Sequence, residues 1–312
     1  MDQQEARAAQ GGAAKVRRRE ILAMMAAPAL LASGDLDQRV RDRIRQAPGT
    51  AYLYAKNLDS GASYGLREDE RVSTASTIKL PIMVGVFQAV EDGHAKWTEQ
   101  LILHDSDKVS GSGVLREFSD GARIAIPDLV HLMIVVSDNT ATNLLLDRFG
   151  GDAVNATIEK LGLKQTRTLR KIRGDGTQLK AASGYTAAGN VPENRRFGIG
   201  VSTPREMVTL LERLERGEVV SAAASKEMIA VLKRQQDSTG IRRHLGDMPV
   251  ANKTGALDHL RSDVGIVYSP RGRIAMAITV TDLPAVDYSP DNPGSLLIAD
   301  LARILIDGLG RE

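Results

Sequence analysis

Strand pattern occurs at both ends of this chain, with a long helical stretch between the two blocks. Thr50 to Asn57 alternates in the strand manner, Asp59-Ser60-Gly61 is a turn signal, and a second strand runs through Tyr64. Late in the chain, Pro249–Lys253, Ser262–Ser269 and Arg273–Thr281 are rich in β-branched residues. Ser269-Pro270-Arg271-Gly272 is a turn between the last two. Connections this short favour antiparallel pairing, so one sheet of about five strands built from both chain ends is expected.

The middle has the period of helices. From Thr77 to Val90, residues Leu80, Met83, Val84, Phe87 and Val90 recur at spacings of three and four. Pro127 opens a helix over 128–136, and further helices are expected over 141–149, 152–161, 204–216 and 221–233. An amphipathic helix over 36–45 and another over 295–309, stopped at Gly310, flank the sheet. The expected fold is therefore α/β of the α+β kind. An antiparallel sheet from residues near 48–66 and 249–282 carries an inserted all-α domain. In domain terms, 35–68 and 219–312 form the sheet domain and 69–218 the helical one. The segment 171–202 contains glycines but no sustained period, and loops of that length are usually functional or mobile.

Composition narrows the functional classes. With 42% apolar and 26% charged residues, the 312-residue chain is globular in character. The balance of 41 basic against 39 acidic residues gives no concentrated basic character, so no nucleic-acid partner is expected. There is no cysteine, which excludes disulfides and thiolate chemistry. Five histidines, His94, His104, His131, His244 and His259, are scattered without metal-ligand spacing, so no metal or other cofactor is expected. Arg17, Arg18 and Arg19 precede an apolar run from Ile21 to Ala32, the layout of an export signal. Arg18-Arg19-x-Ile21-Leu22 resembles a twin-arginine signal. The run is too short to span a membrane, which needs roughly 20 residues. Residues 1–34 are thus expected to direct export to the periplasm or cell exterior, which cell fractionation tests.

Three short motifs occur in order: Ser76-Thr77-Ile78-Lys79, Ser137-Asp138-Asn139 and Lys253-Thr254-Gly255. Ser76 precedes a helical pattern, where the positive helix end stabilises developing negative charge. Lys79 is one turn on, on the same helix face. An amine crowded by another cation and partly desolvated loses its proton readily, and can then take the proton of the serine. A plain helix cap explains Ser76 or Ser137 taken singly; the three motifs together do not reduce to caps. The set resembles that of class A β-lactamases and penicillin-recognising serine hydrolases, over Leu36 to Leu309.

The resemblance implies a β-lactamase/DD-peptidase-like fold with helices on both faces of the sheet and an active site between the two domains. It makes Ser76 the nucleophile, Lys79 its base and Ser137 a proton relay beside the leaving nitrogen. Asn139 would hydrogen-bond the amide side chain of a substrate, and Asp138 would tie its turn to backbone amides. Lys253 and Thr254 would bind a carboxylate, with Arg261 reinforcing them. Gly255 would allow close backbone approach, and the amides of Ser76 and Ala256 would form an oxyanion hole. Gly111-Ser112-Gly113 would border the site. No cofactor is implied; the partner is a small β-lactam or a peptidoglycan-like molecule, and a monomer is expected.

The family also carries a Glu on an omega-shaped loop, with an Asn four residues later, to activate the deacylating water. Between Lys171 and Ser202 the acidic residues are Asp175 and Glu193, and Phe197 stands four positions after Glu193. Glu193, after Pro192, is the candidate deacylation base, with Asp175 as the alternative. A β-lactamase, a DD-peptidase or related amidase with slow β-lactam turnover, and a binding protein on a hydrolase scaffold all remain open at this point.

Overall fold

The computed structural model describes residues 34–174 and 184–310. The expected export segment and Asp175 lie outside those residues. The first helix, α1, occupies 34–45. The alternating sequence then becomes β1, Thr50–Asn57, which buries Ala51, Leu53, Ala55 and Asn57 in turn. It hairpins into β2, Ser63–Leu66.

After the short β3, Val72–Ser73, a 3-10 turn at Ala75–Ile78 leads into α2, Lys79–Glu91. The two-stranded pair of β4, Gln100–Ile102, and β5, Arg123–Ala125, precedes α3, Ile126–Val135. Next come α4, Asn139–Phe149, and α5, Gly151–Lys160. Then β6, Arg167–Thr168, α6, Ala187–Asn190, and β7, Gly200–Ser202, lead to α7, Pro204–Glu215, and α8, Ala222–Lys233. Three long strands, β8, Val250–Leu257, β9, Leu260–Ser269, and β10, Gly272–Thr281, are followed by α9, Pro293–Leu309.

The main sheet has the order β2-β1-β10-β9-β8, antiparallel throughout. The N-terminal β1 therefore lies inside the sheet, paired along its length with the last strand. Both faces are covered. Leu53, Met276 and Ile278 pack with Leu36, Val40, Leu297 and Leu301 of α1 and α9. Ile266, Ala275 and Ala277 pack into the larger core with Val208 and Leu211 of α7. The helices α1 and α9 meet there too: Arg39 reaches Asp307 at 3.6 Å and Arg43 reaches Asp300 at 2.7 Å.

Two regions differ from the sequence expectation. The helix α7 falls within the 69–218 block but lies on the sheet: Glu212 accepts from Lys56 of β1 at 2.7 Å, and Glu215 accepts from Tyr268 of β9 at 2.7 Å. The described part of 171–202 is also more ordered than its lack of period suggests. It contains α6, a 3-10 turn at Pro192–Phe197 and β7, which joins β3 and β6 in a small sheet.

Candidate active site

Ser76 sits in the 3-10 turn that starts α2, directly after Ala75, whose φ is 46°. A buried non-glycine residue in that region is uncommon and strained. The backbone bends sharply there and presents Ser76 to a cleft of about 480 Å³. Ser137 repeats the device, with φ of 56° in the turn between α3 and α4. That turn is fixed by Asp138, which accepts from the amides of Ala141 at 2.9 Å, Val114 at 2.7 Å and Leu115 at 2.8 Å. Gly113 is required beside it: with φ of +107°, a Cβ there would lie 2.2 Å from Asp138 Oδ2.

The two lysines converge on Ser137. Lys79 is fully buried, and its Nζ donates to Ser137 O at 2.6 Å, Ser137 Oγ at 3.1 Å and Asn139 Oδ1 at 2.9 Å. Lys253, also fully buried, donates from Nζ to Ser137 Oγ at 3.0 Å and to its neighbouring Thr254 carbonyl at 2.7 Å. Both lone pairs of the Ser137 hydroxyl are thereby taken, which leaves its proton free to be given elsewhere. Burial, and then the charge of Lys253, push the Lys79 pKa well below its ordinary value, against a smaller opposing effect of Asp138. Burial brings Lys253 down to about 8, while Asp237 and Asp263 hold it from falling further. The lysine three residues after Ser76 on the same turn is thus the one disposed to act as a base.

Strand β8 closes the other side of the cleft. A Cβ on Gly255 would lie 2.9 Å from the Thr74 carbonyl oxygen and 3.0 Å from the Ser76 amide nitrogen. This is the close backbone approach expected of that glycine. Thr254, Gly255 and Ala256 line the cleft with Ser76 and Ser137, so the amides of Ser76 and Ala256 belong to one concave surface. Asn139 is close by but engaged: Oδ1 accepts from Lys79, and Nδ2 donates to the Ser110 carbonyl at 3.0 Å. One Nδ2 proton remains for a substrate.

Two expectations need correction. Arg261 lines the cleft, but its guanidinium does not stand free for a carboxylate. Nη1 donates to the carbonyls of Leu257 and Leu260, each at 2.6 Å, and Nη2 donates to that of Asp287. Placed just after the β8–β9 turn, the side chain is held by carbonyls of that turn and of the 287 segment. Glu193 is not brought to the cleft. It is exposed on the 192–197 turn, in which Asn194 and Phe197, three apart, face inward. Asn194 accepts from Arg71 Nη2 at 2.5 Å and donates to the Ala188 carbonyl at 2.9 Å, which fixes the turn with Glu193 outward.

The structure also adds a residue that the sequence analysis missed. Asp263 of β9 lines the cleft, is 1% exposed, and accepts from Asn252 Nδ2 at 3.0 Å and the Ile241 amide at 2.8 Å. Burial raises its pKa to about 7. Its signal was a carboxylate in the middle of an apolar strand pattern. Among the described residues no cluster of His, Asp and Glu could hold a metal ion, and no helix is long and apolar enough to cross a membrane.

Similar proteins match this chain over most of their length. The chain is 26% identical over 311 residues to the β-lactamase regulatory protein BlaB of Streptomyces cacaoi, covering 90% of this chain and 99% of that one. The solved β-lactamase of Sphaerobacter thermophilus superposes with a TM-score of 0.74 at 30% identity, covering 88% of this chain and 96% of that one. A PBP-A mutant, solved as an acyl-enzyme complex with penicillin-G, gives a TM-score of 0.73 at 28% identity, with 88% and 96% covered. Residues 35–309, which include every motif of the cleft and both faces of the sheet, match the beta-lactamase enzyme family, and the chain belongs to that family.

Proposed function

We propose that the protein is a serine hydrolase that opens the β-lactam amide through an acyl-enzyme at Ser76. The observation that carries this reading is the pair of buried lysines meeting at Ser137 Oγ, at 3.1 and 3.0 Å. Lys79 Nζ, once neutral, keeps two of its three hydrogen bonds and turns its lone pair to take the Ser76 hydroxyl proton as Oγ attacks the lactam carbonyl carbon. The carbonyl oxygen becomes an oxyanion before the amides of Ser76 and Ala256. As the C–N bond breaks, the nitrogen leaves with the free proton of Ser137, which is replaced from the lysine pair. The product is an ester at Ser76 and an amine on the opened ring. Water then cleaves the ester, releasing the acid and restoring Ser76. Lys253, cationic below pH 8, and the Thr254 hydroxyl suit the carboxylate that β-lactams carry beside the ring nitrogen.

The fate of the ester separates two members of this class. Of the acids the sequence offered for deacylation, Glu193 is exposed and turned outward. Asp237 and Asp263 also line the cleft, but Asp237 accepts from Thr239 and Asp263 from Asn252 and Ile241. Among the described residues, which do not include Asp175, this favours as a second reading an acyl-enzyme that persists, as in a penicillin-binding peptidase. One experiment addresses both. Intact-mass spectrometry after mixing with penicillin-G is expected to show a covalent adduct, absent in Ser76→Ala and formed about 10²- to 10⁴-fold more slowly in Lys79→Ala. An adduct retained in Ser76→Ala overturns the nucleophile assignment. Decay of the adduct within seconds supports the hydrolase; persistence supports the second reading. Glu193→Gln is expected to leave that decay unchanged.

A further inference from the structure

A second cavity lies at the far ends of the helices that frame the cleft. It encloses about 390 Å³ between the last turn of α2, the start of α3 and one side of α8, within the size range of small-ligand pockets. Phe87, Val90, Trp97, Val130 and Val231 give it apolar walls. Phe87 and Trp97 meet edge to face, with centroids 4.7 Å apart and planes at 65°. Three lining residues are titratable: Glu91, His131 and Glu227.

His131 is committed. Its Nδ1 lies 2.8 Å from the Pro127 carbonyl, which can only accept, so Nδ1 carries the proton and Nε2 accepts from Arg234 at 3.1 Å. Glu91 and Glu227 are exposed at the rim, and neither carboxylate has a hydrogen-bond or ion-pair partner among the described residues. The helix starts bordering the cavity, which would favour an anion, are each offset by a side chain of their own. Asp128 lies in the first turn of α3, and the Ser221 hydroxyl accepts from the Ala224 amide at 3.3 Å in α8.

We propose that this cavity binds an organic cation with an apolar body, a substituted ammonium. The apolar part fills the space between Phe87, Trp97 and Val130, where it displaces water from their surfaces. The ammonium lies at the rim, where aromatic rings and two unpaired carboxylates both favour positive charge. An anion of the same shape meets two like charges, and a neutral molecule gains from the walls alone.

Trp97 is the single tryptophan of the chain, so its emission reports on this wall. Hexyltrimethylammonium titrated into the full-length protein is expected to change that emission saturably. It should bind about tenfold more tightly than heptanol, with heptanoate weaker still. The double variant Glu91→Gln/Glu227→Gln should lose about tenfold in affinity with its melting temperature unchanged, while Ser76→Ala, altered in the cleft, binds as the unaltered protein does. No saturable change, equal affinity for heptanol, or full affinity in the double variant would each overturn the assignment.

Discussion

At Ser137 the hydroxyl oxygen is shared by two buried lysines, so the charge state of one residue governs what the next can do. Asp263 stands at the edge of this network and lends itself to a clean test. Burial raises its pKa from the ordinary 3.8 to about 7. A carboxyl whose folded pKa is raised adds stability that is fully present below the unfolded value and is lost as pH rises through the folded one. Asparagine removes the charge and keeps one oxygen that accepts. Asp263→Asn is therefore expected to gain stability relative to the unaltered protein as pH rises from 4 to 8, by at most about 4 kcal/mol. Melting curves at the two pH values check this, and a gap that does not change with pH would refute it. Ser76, Lys79, Ser137 and Lys253 were legible in the sequence because each motif is a short contiguous string. Asp263 was not, because what makes it special, Asn252 and Ile241, comes from other segments. Glu193 and Arg261 were legible as residue types in the right neighbourhood. Position along a chain says nothing of which way a side chain points or what it already holds: Glu193 turns outward, and Arg261 lines the cleft with its Nη groups donating to carbonyls.

At the level of elements, β8 acts as a rail laid against the nucleophile turn. Gly255→Ala would put a methyl group about 3 Å from two backbone atoms, the Thr74 oxygen and the Ser76 nitrogen. Backbone cannot swing aside as a flexible side chain can, so the turn must move. The variant is expected to fold, and to acylate roughly ten- to a hundredfold more slowly, since displacement of a reacting group by a fraction of an ångström carries a penalty of that order. Stopped-flow acylation measures it; an unchanged rate would mean that β8 has room to yield. The long elements were readable because they are long: α2, α7, β9 and β10 each give several turns or pleats of consistent burial. By contrast β3, β6 and β7 have two or three residues each. A segment that short has no period to read, and it forms because chain from three distant places meets there.

At the scale of the whole molecule, the sheet must wait for the end of the chain. The hairpin of β1 and β2 meets β10 across a long stretch of sequence, as the Arg273–Asp59 contact between residues 214 positions apart illustrates. An isolated two-stranded hairpin is marginal in water, so the first strands formed have no stable place until the last are made. Yet α1 and α9 lie side by side, with Leu36 against Gly308 and Arg39 beside Asp307. The order in which the gene lists the parts is therefore separable from the order in which space arranges them. Joining residue 309 to residue 36 by a short flexible linker, and opening the exposed turn between Ser60 and Gly61, gives a circular permutant. In it, β1 follows β10 after two helices alone. Such a rearranged chain should reach the same acylating structure and refold faster than the parent, because the central pairing has become local. Refolding kinetics after dilution from urea decide it, and a permutant that cannot fold would show that the seam between the two end helices is itself part of the fold's nucleus.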